Sequence, residues 1–233
     1  MRPSPTPSPT RTPTPVFVLL SDREKLSRYV WSLDGPTPTP TAIPEVLRGK
    51  IAFKSDMIDW TRIYVINPDG SELALLLDRW AYEVARDARW FSADGRYRIY
   101  QGHGRHGLDL FLGSLDGRIN HQLTFVGQGK AYDAAWAPDG HRIAFASNQE
   151  GDDDIFVVHI RSAEDPKPRT EKLTDDAGWE SDKHPAFSPD GAQIVFYSNR
   201  TGKRQLWIMN ADGSGLRQLL NVDADCWDPV WFW

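Results

Sequence analysis

Cysteine is almost absent: Cys226 is the single one in 233 residues, so no disulfide forms within the chain and no cysteine-based zinc site exists. Long apolar runs are missing too. The longest near the start, Val-Phe-Val-Leu-Leu at residues 16–20, is too short to span a bilayer or to form the core of a secretion signal. The chain therefore shows no export signal and no transmembrane segment, and a cytoplasmic location or a missing true N-terminus would each account for that. There is no basic excess. Lys and Arg total 27 against 32 Asp and Glu, a net charge of −5, which argues against a general nucleic-acid binder. Catalytic signatures are also lacking: no Gly-x-Ser-x-Gly elbow, no phosphate loop and no His-Glu-x-x-His. No catalytic residue and no cofactor-binding residue is assigned.

Proline is present but unevenly placed. Ten of the 17 prolines lie within residues 1–44. The runs at 3–9 and 36–41 alternate proline with Ser or Thr, which cannot pack a core and favour extended backbone. Residues 1–15 read as a disordered Thr/Pro-rich spacer and 36–48 as a Thr/Pro-rich linker. Such spacers also serve as stalks outside cells.

Tryptophan is in excess, ten in all, and it recurs. Ala-Arg-Trp-Phe-Ser-Ala-Asp-Gly (88–95), Ala-Ala-Trp-Ala-Pro-Asp-Gly (134–140), Pro-Ala-Phe-Ser-Pro-Asp-Gly (185–191) and Asp-Pro-Val-Trp-Phe-Trp (228–233) align. Their anchor aromatics, Trp90, Trp136, Phe187 and Trp231, are 46, 51 and 44 residues apart, the length of one propeller blade. Each of the three longer units continues with an alternating strand after the Asp-Gly turn, a polar loop, a third strand and a short fourth one ending near Thr124, Thr174 or Leu220. Period-two patterns bounded by Asp-Gly turns predict antiparallel hairpins. Helical periodicity surfaces weakly, around residues 81–89 only.

The last full unit reads Phe-Ser-Pro-Asp-Gly (187–191), Ile-Val-Phe-Tyr-Ser-Asn-Arg (194–200) and Leu-Trp-Ile-Met-Asn-Ala-Asp-Gly-Ser-Gly (206–215). This resembles the TolB-type (WD40-like) β-propeller repeat family over about residues 49–233. Departures are Ala93 in place of proline, Arg98 where Ile143 and Ile194 stand, and residues 163–168 in place of a second Asp-Gly turn. The resemblance implies an all-β propeller and a protein- or peptide-binding role in the periplasm or outside the cell, without an enzyme's machinery. A propeller lyase or hydrolase acting on carbohydrate, and the sensory ectodomain of a larger receptor or kinase, remain as alternatives.

Residues 50–54 form a second strand without a first, and 228–233 a first strand without a second. Joined, they make a composite blade, so the expected fold is four blades of four antiparallel strands, closed by the C-terminal strand. Four repeats of about 46 residues need roughly 185, and residues 49–233 number 185. A fragment of a larger ring is the rival reading. Residues 16–35 match 51–70 in pattern and read as a half-blade hairpin.

Asp87, Asp133 and Asp228 each stand three residues before an anchor aromatic; His184 stands there in the remaining unit, with Asp182 two residues earlier. The resemblance implies that such positions ring one mouth of the central channel. Asp133, Asp228 and Asp87 are then candidate ligands for a hard cation such as Ca²⁺, and together with Asp182 and His184 they are candidate contacts for a basic partner segment. The competing expectation is local: each Asp bonds backbone N–H groups of its own loop.

Overall fold

The computed structural model describes residues 43–58, 60–77, 79–175 and 180–233. The segment 1–42, with its spacer, its half-blade hairpin and most of its linker, lies outside the described residues. The last part of the linker is built into the fold: a short 3-10 helix, Glu45–Leu47, buries Leu47.

Turn chemistry sets the hairpins. In the turn after Phe187, Ser188 donates to the Asp190 carboxylate at 2.6 Å, and that carboxylate accepts from the Ala192 N–H at 3.0 Å. Gly191 then takes φ of +68°, which a residue with a Cβ adopts only under strain. The same Asp-centred hydrogen bonding recurs at Asp94, Asp139 and Asp212, so the repeated Asp-Gly pairs each reverse the chain between strands.

Among the described residues fifteen strands follow. The first blade holds β1 (Ile51–Ser55), β2 (Arg62–Ile66) and β3 (Ala74–Leu75). The second holds β4 (Tyr97–His103), β5 (Leu108–Ser114) and β6 (Asn120–Gln122). The third runs β7 (Ala131–Trp136), β8 (Arg142–Ser147), β9 (Asp154–His159) and β10 (Arg169–Lys172). The fourth runs β11 (Asp182–Phe187), β12 (Gln193–Thr201), β13 (Lys203–Asn210) and β14 (Arg217–Gln218). β15 (Cys226–Trp231) returns to the first blade, pairing antiparallel with β1 so that Ile51 faces Trp231 and Ser55 faces Cys226. All pairings within blades are antiparallel. The composite blade expected from the sequence is thus present.

The second blade departs from its repeat. In place of an innermost strand it has a helix, α1 (Trp80–Ala88), and its sheet has three strands plus a single bridge from Phe91 to Arg98. The reason is packing: Ala81, Tyr82 and Ala85 fall on one helical face, and that face covers Ala52, Val65, Val230 and Phe232 of the first blade.

Strand alternation distributes the core between neighbours. Ile143 and Phe145 face the second blade, while Ala144 and Ala146 face the fourth. Ile51 and Phe53 face the fourth blade, while Ala52 faces α1. Four buried clusters therefore join second to third, third to fourth, fourth to first, and first to α1 of the second. An open arc of four blades has three such interfaces; here there is a fourth, with β15 making the seam between the fourth blade and the first and α1 covering the other flank of the first.

Candidate functional site

The three regular inner strands share one irregularity. Tyr132 pairs with Ala146 and Ala135 with Ala144, so β7 carries one extra residue against β8. The same one-residue bulge occurs in β11, between Lys183 and Ala186, and in β15 against Ala52 and Lys54 of β1. At each bulge one residue is left-handed: Asp133 at φ 51°, His184 at 53° and Asp228 at 52°. Asp and His are among the few non-glycine residues that tolerate this region. The local backbone thus selects the residue types, and its threefold recurrence brings their side chains together.

His184 lies between two carboxylates, with Nδ1 2.7 Å from Asp228 Oδ1 and Nε2 3.1 Å from Asp133 Oδ2. Lys54 Nζ from β1 and the Tyr82 hydroxyl from α1 each donate to Asp228 Oδ2 at 2.7 Å. Arg89, just past α1, reaches Asp228 Oδ1 at 3.5 Å. Burial by itself raises the Asp228 carboxyl, but His184, Lys54 and Tyr82 together hold it well below the usual carboxylate range. Asp133 goes the other way: burial pushes its carboxyl up, beyond what His184 and Arg89 recover. His184 thus bridges the two carboxylates, one at each ring nitrogen.

Beside this cluster, Lys183 pairs with Asp153 at 2.8 Å, and Tyr132 donates to the same carboxylate. The Tyr197 ring lies against His184 with centroids 5.5 Å apart, and burial pushes its hydroxyl up to about 12.

Two sequence candidates fall elsewhere. Asp87 sits in α1 rather than at a strand start, and its exposed carboxylate pairs with Arg86 at 2.9 Å; helix replaces bulge there, so the turn of backbone that would aim it at the axis is missing. Asp182 is fully buried at the start of β11, held by Arg200 at 2.7 Å. Lys54, Tyr82, Arg89 and Lys183 escaped the repeat comparison because they lie on a second strand, on the aberrant helix and next to aligned positions. The clue available was Lys54 itself, a lysine where the equivalent residues are Ala146 and Tyr197.

As for metals, no group of three or more His, Cys, Asp or Glu among the described residues is arranged to hold an ion. Asp228 already has four partners on its two oxygens. Cys226 is buried, which pushes its thiol up to about 12; such a thiol is no nucleophile at neutral pH. Among the described residues no helix is long and apolar enough to cross a membrane.

Four sheets around an axis, with inner-strand side chains converging on it, define a small β-propeller. The chain matches the TolB beta propeller domain model over residues 40–232, and it belongs to that family. Curated relatives include the Tol-Pal system protein TolB of Anaeromyxobacter dehalogenans strain 2CP-C, 41% identical over 170 residues, 72% of this chain and 37% of that protein. The TolB of a second strain of this species is 42% identical over 170 residues. The chain thus spans 37% of the length of these relatives. A solved structure of putative TolB from Agrobacterium tumefaciens is 22% identical, with a TM-score of 0.49, covering 78% of this chain and 70% of that one.

Proposed function

We propose that this chain is a non-enzymatic, TolB-like module that binds a protein or peptide in the cell envelope or an extracellular region. The observation that carries this reading is the axial cluster. Lys54, Asp133, His184 and Lys183 keep 20–28% of their side-chain surface exposed while each is paired with an opposite group. A rigid, pre-paired surface of alternating charge suits recognition of polar partner side chains. That relatives carry the name Tol-Pal system protein TolB supports an envelope partner.

A photoreactive amino acid at Lys130, exposed and three residues before Asp133, tests this in envelope extracts of the source organism. The expected result is one dominant adduct that a probe at the outer-turn residue Arg118 does not give, and that is lost when Asp133→Ala is added. Equal labelling from both positions, or none, contradicts the proposal.

A further inference from the structure

We propose that an apolar segment of this same chain, residues 16–20, docks into a cavity on the ring axis. The cavity follows from the inner strands. Ala135, Ala186 and Val230 stand at equivalent places, two residues past Asp133, His184 and Asp228, and α1 adds Ala85 and Ala88. Side chains this small leave a space of about 280 Å³. Its walls include five rings, from Phe91, Trp136, Phe187, Trp231 and Trp233. Phe91 and Trp233 are 40% and 41% exposed and form an apolar rim.

Three observations identify the occupant. Among the described residues the lining is apolar apart from Arg89 and Ser92, and both side chains are engaged within the fold. Arg89 reaches Asp228 at 3.5 Å, and the Ser92 hydroxyl donates to Asp94 at 2.6 Å and accepts from the Tyr97 N–H at 3.0 Å. Such walls match an uncharged, apolar occupant, because a polar group buried there would lose its hydrogen bonds to water. Second, the lining includes Ile43, the first described residue, so residues 1–42 join the fold at the cavity itself. Third, residues 16–20, Val-Phe-Val-Leu-Leu, are the longest unbroken apolar run in that stretch. The next, Tyr-Val-Trp at 29–31, has three residues and follows an arginine. Between the longer run and Ile43 lie 22 residues, a chain whose root-mean-square span is about 25 Å, enough to return to its own anchor point. The tether makes docking intramolecular, at an effective concentration far above that of a free peptide. An apolar cavity of about 150 Å³ holds one benzene; the larger space here takes the Phe17 ring and an aliphatic side chain beside it. The cavity lies toward the turn at Ser92 and Ala93, whereas the His184 cluster lies nearer the starts of the inner strands, so this inference does not rest on the proposed partner surface.

Photoreactive benzoylphenylalanine in place of Phe17, in the full chain irradiated in dilute solution and mapped by peptide mass spectrometry, tests the proposal. The expected result is one dominant adduct within a single chain, to peptides that carry Phe91, Trp231 or Trp233. The same probe in place of Thr6 should give that adduct at least ten-fold more weakly. Ala93→Trp, at an exposed lining position, should narrow the mouth and cut the adduct from position 17 at least ten-fold. An adduct joining two chains would make a second copy the occupant and overturn the proposal. Labelling scattered outside the lining, equal labelling from both positions, no adduct, or indifference to Ala93→Trp would each overturn it as well. The comparison of the two probe positions leaves every described residue unchanged, so it stands even if the Ala93 variant folds poorly.

Discussion

Replacing Asp228 by Asn removes one charge and little else. Asn tolerates the left-handed φ of 52° that the bulge imposes, so backbone strain is unchanged and the volume is kept. The loss is electrostatic: Lys54 at 2.7 Å, Arg89 at 3.5 Å and His184 at 2.7 Å lose their common anion. The Lys54 and Arg89 side chains are only 22% and 10% exposed, so water compensates poorly. Stranding one partner of a buried pair costs about 3–5 kcal/mol, against a total stability of about 5–15 kcal/mol for a domain. Urea unfolding should show this loss as a lower midpoint with the slope unchanged, and thermal unfolding as a drop of about 6–20 °C. The pH dependence has a definite sign. The Asp228 carboxyl is lowered in the folded state, so its contribution is complete above about pH 4 and fades as pH falls below that. The deficit of the Asn variant should narrow in acid accordingly. A change under about 0.5 kcal/mol at neutral pH, the size expected of an ordinary surface substitution, would refute the view that this carboxylate ties the blades together.

Tyr82→Phe deletes a buried hydroxyl that donates to the Asp228 carboxylate and should cost about 1.5–3 kcal/mol in urea unfolding; no loss would mean that α1 is not fastened to β15 through it. Asp133 is the opposite case to Asp228. Its folded pKa is raised, so the folded state binds the proton more readily, and its contribution grows as pH falls through that raised pKa toward the ordinary value of about 3.9. Asp133→Asn should flatten that rise, as read from unfolding free energies across acidic pH. Gly213 has φ of +84°, and a Cβ there would stand 3.0 Å from the Leu173 carbonyl oxygen of the neighbouring blade. Gly213→Ala should therefore cost about 1–2 kcal/mol, measured by thermal unfolding.

The repeat was legible because each blade must satisfy the same local rules: an Asp-Gly turn, an aromatic at the end of the inner strand, alternation on the strands between. Stacked register pairs such as Phe53 with Tyr64 and Phe145 with Phe156 recur at one spacing in sequence and one place in space. The composite blade was legible too, from the complementary half-patterns at residues 50–54 and 228–233. The α1 substitution was visible as a faint helical period near residue 81, but its consequence was not. A helix of nine residues is decided by the flank it covers, and that flank belongs to residues distant in sequence. The site was half legible. Asp133, His184 and Asp228 share an alignment column, yet the bulge that turns them inward follows from pairing register, which no single strand encodes. Asp87 shares the column without the bulge and points elsewhere.

Ring closure by β15 is open to a direct measurement that uses the one native cysteine. Ser55 and Cys226 face each other across β1 and β15, with Oγ and Sγ 3.4 Å apart although 171 residues separate them in the chain. Ser55→Cys therefore places two thiols in register at the seam. After refolding in a thiol–disulfide buffer, the account predicts loss of both free thiols, faster migration on a non-reducing gel, and a gain of up to about 5 kcal/mol over the reduced form. Two free thiols under those conditions, with the rest of the fold intact, would contradict the pairing of the last strand with the first.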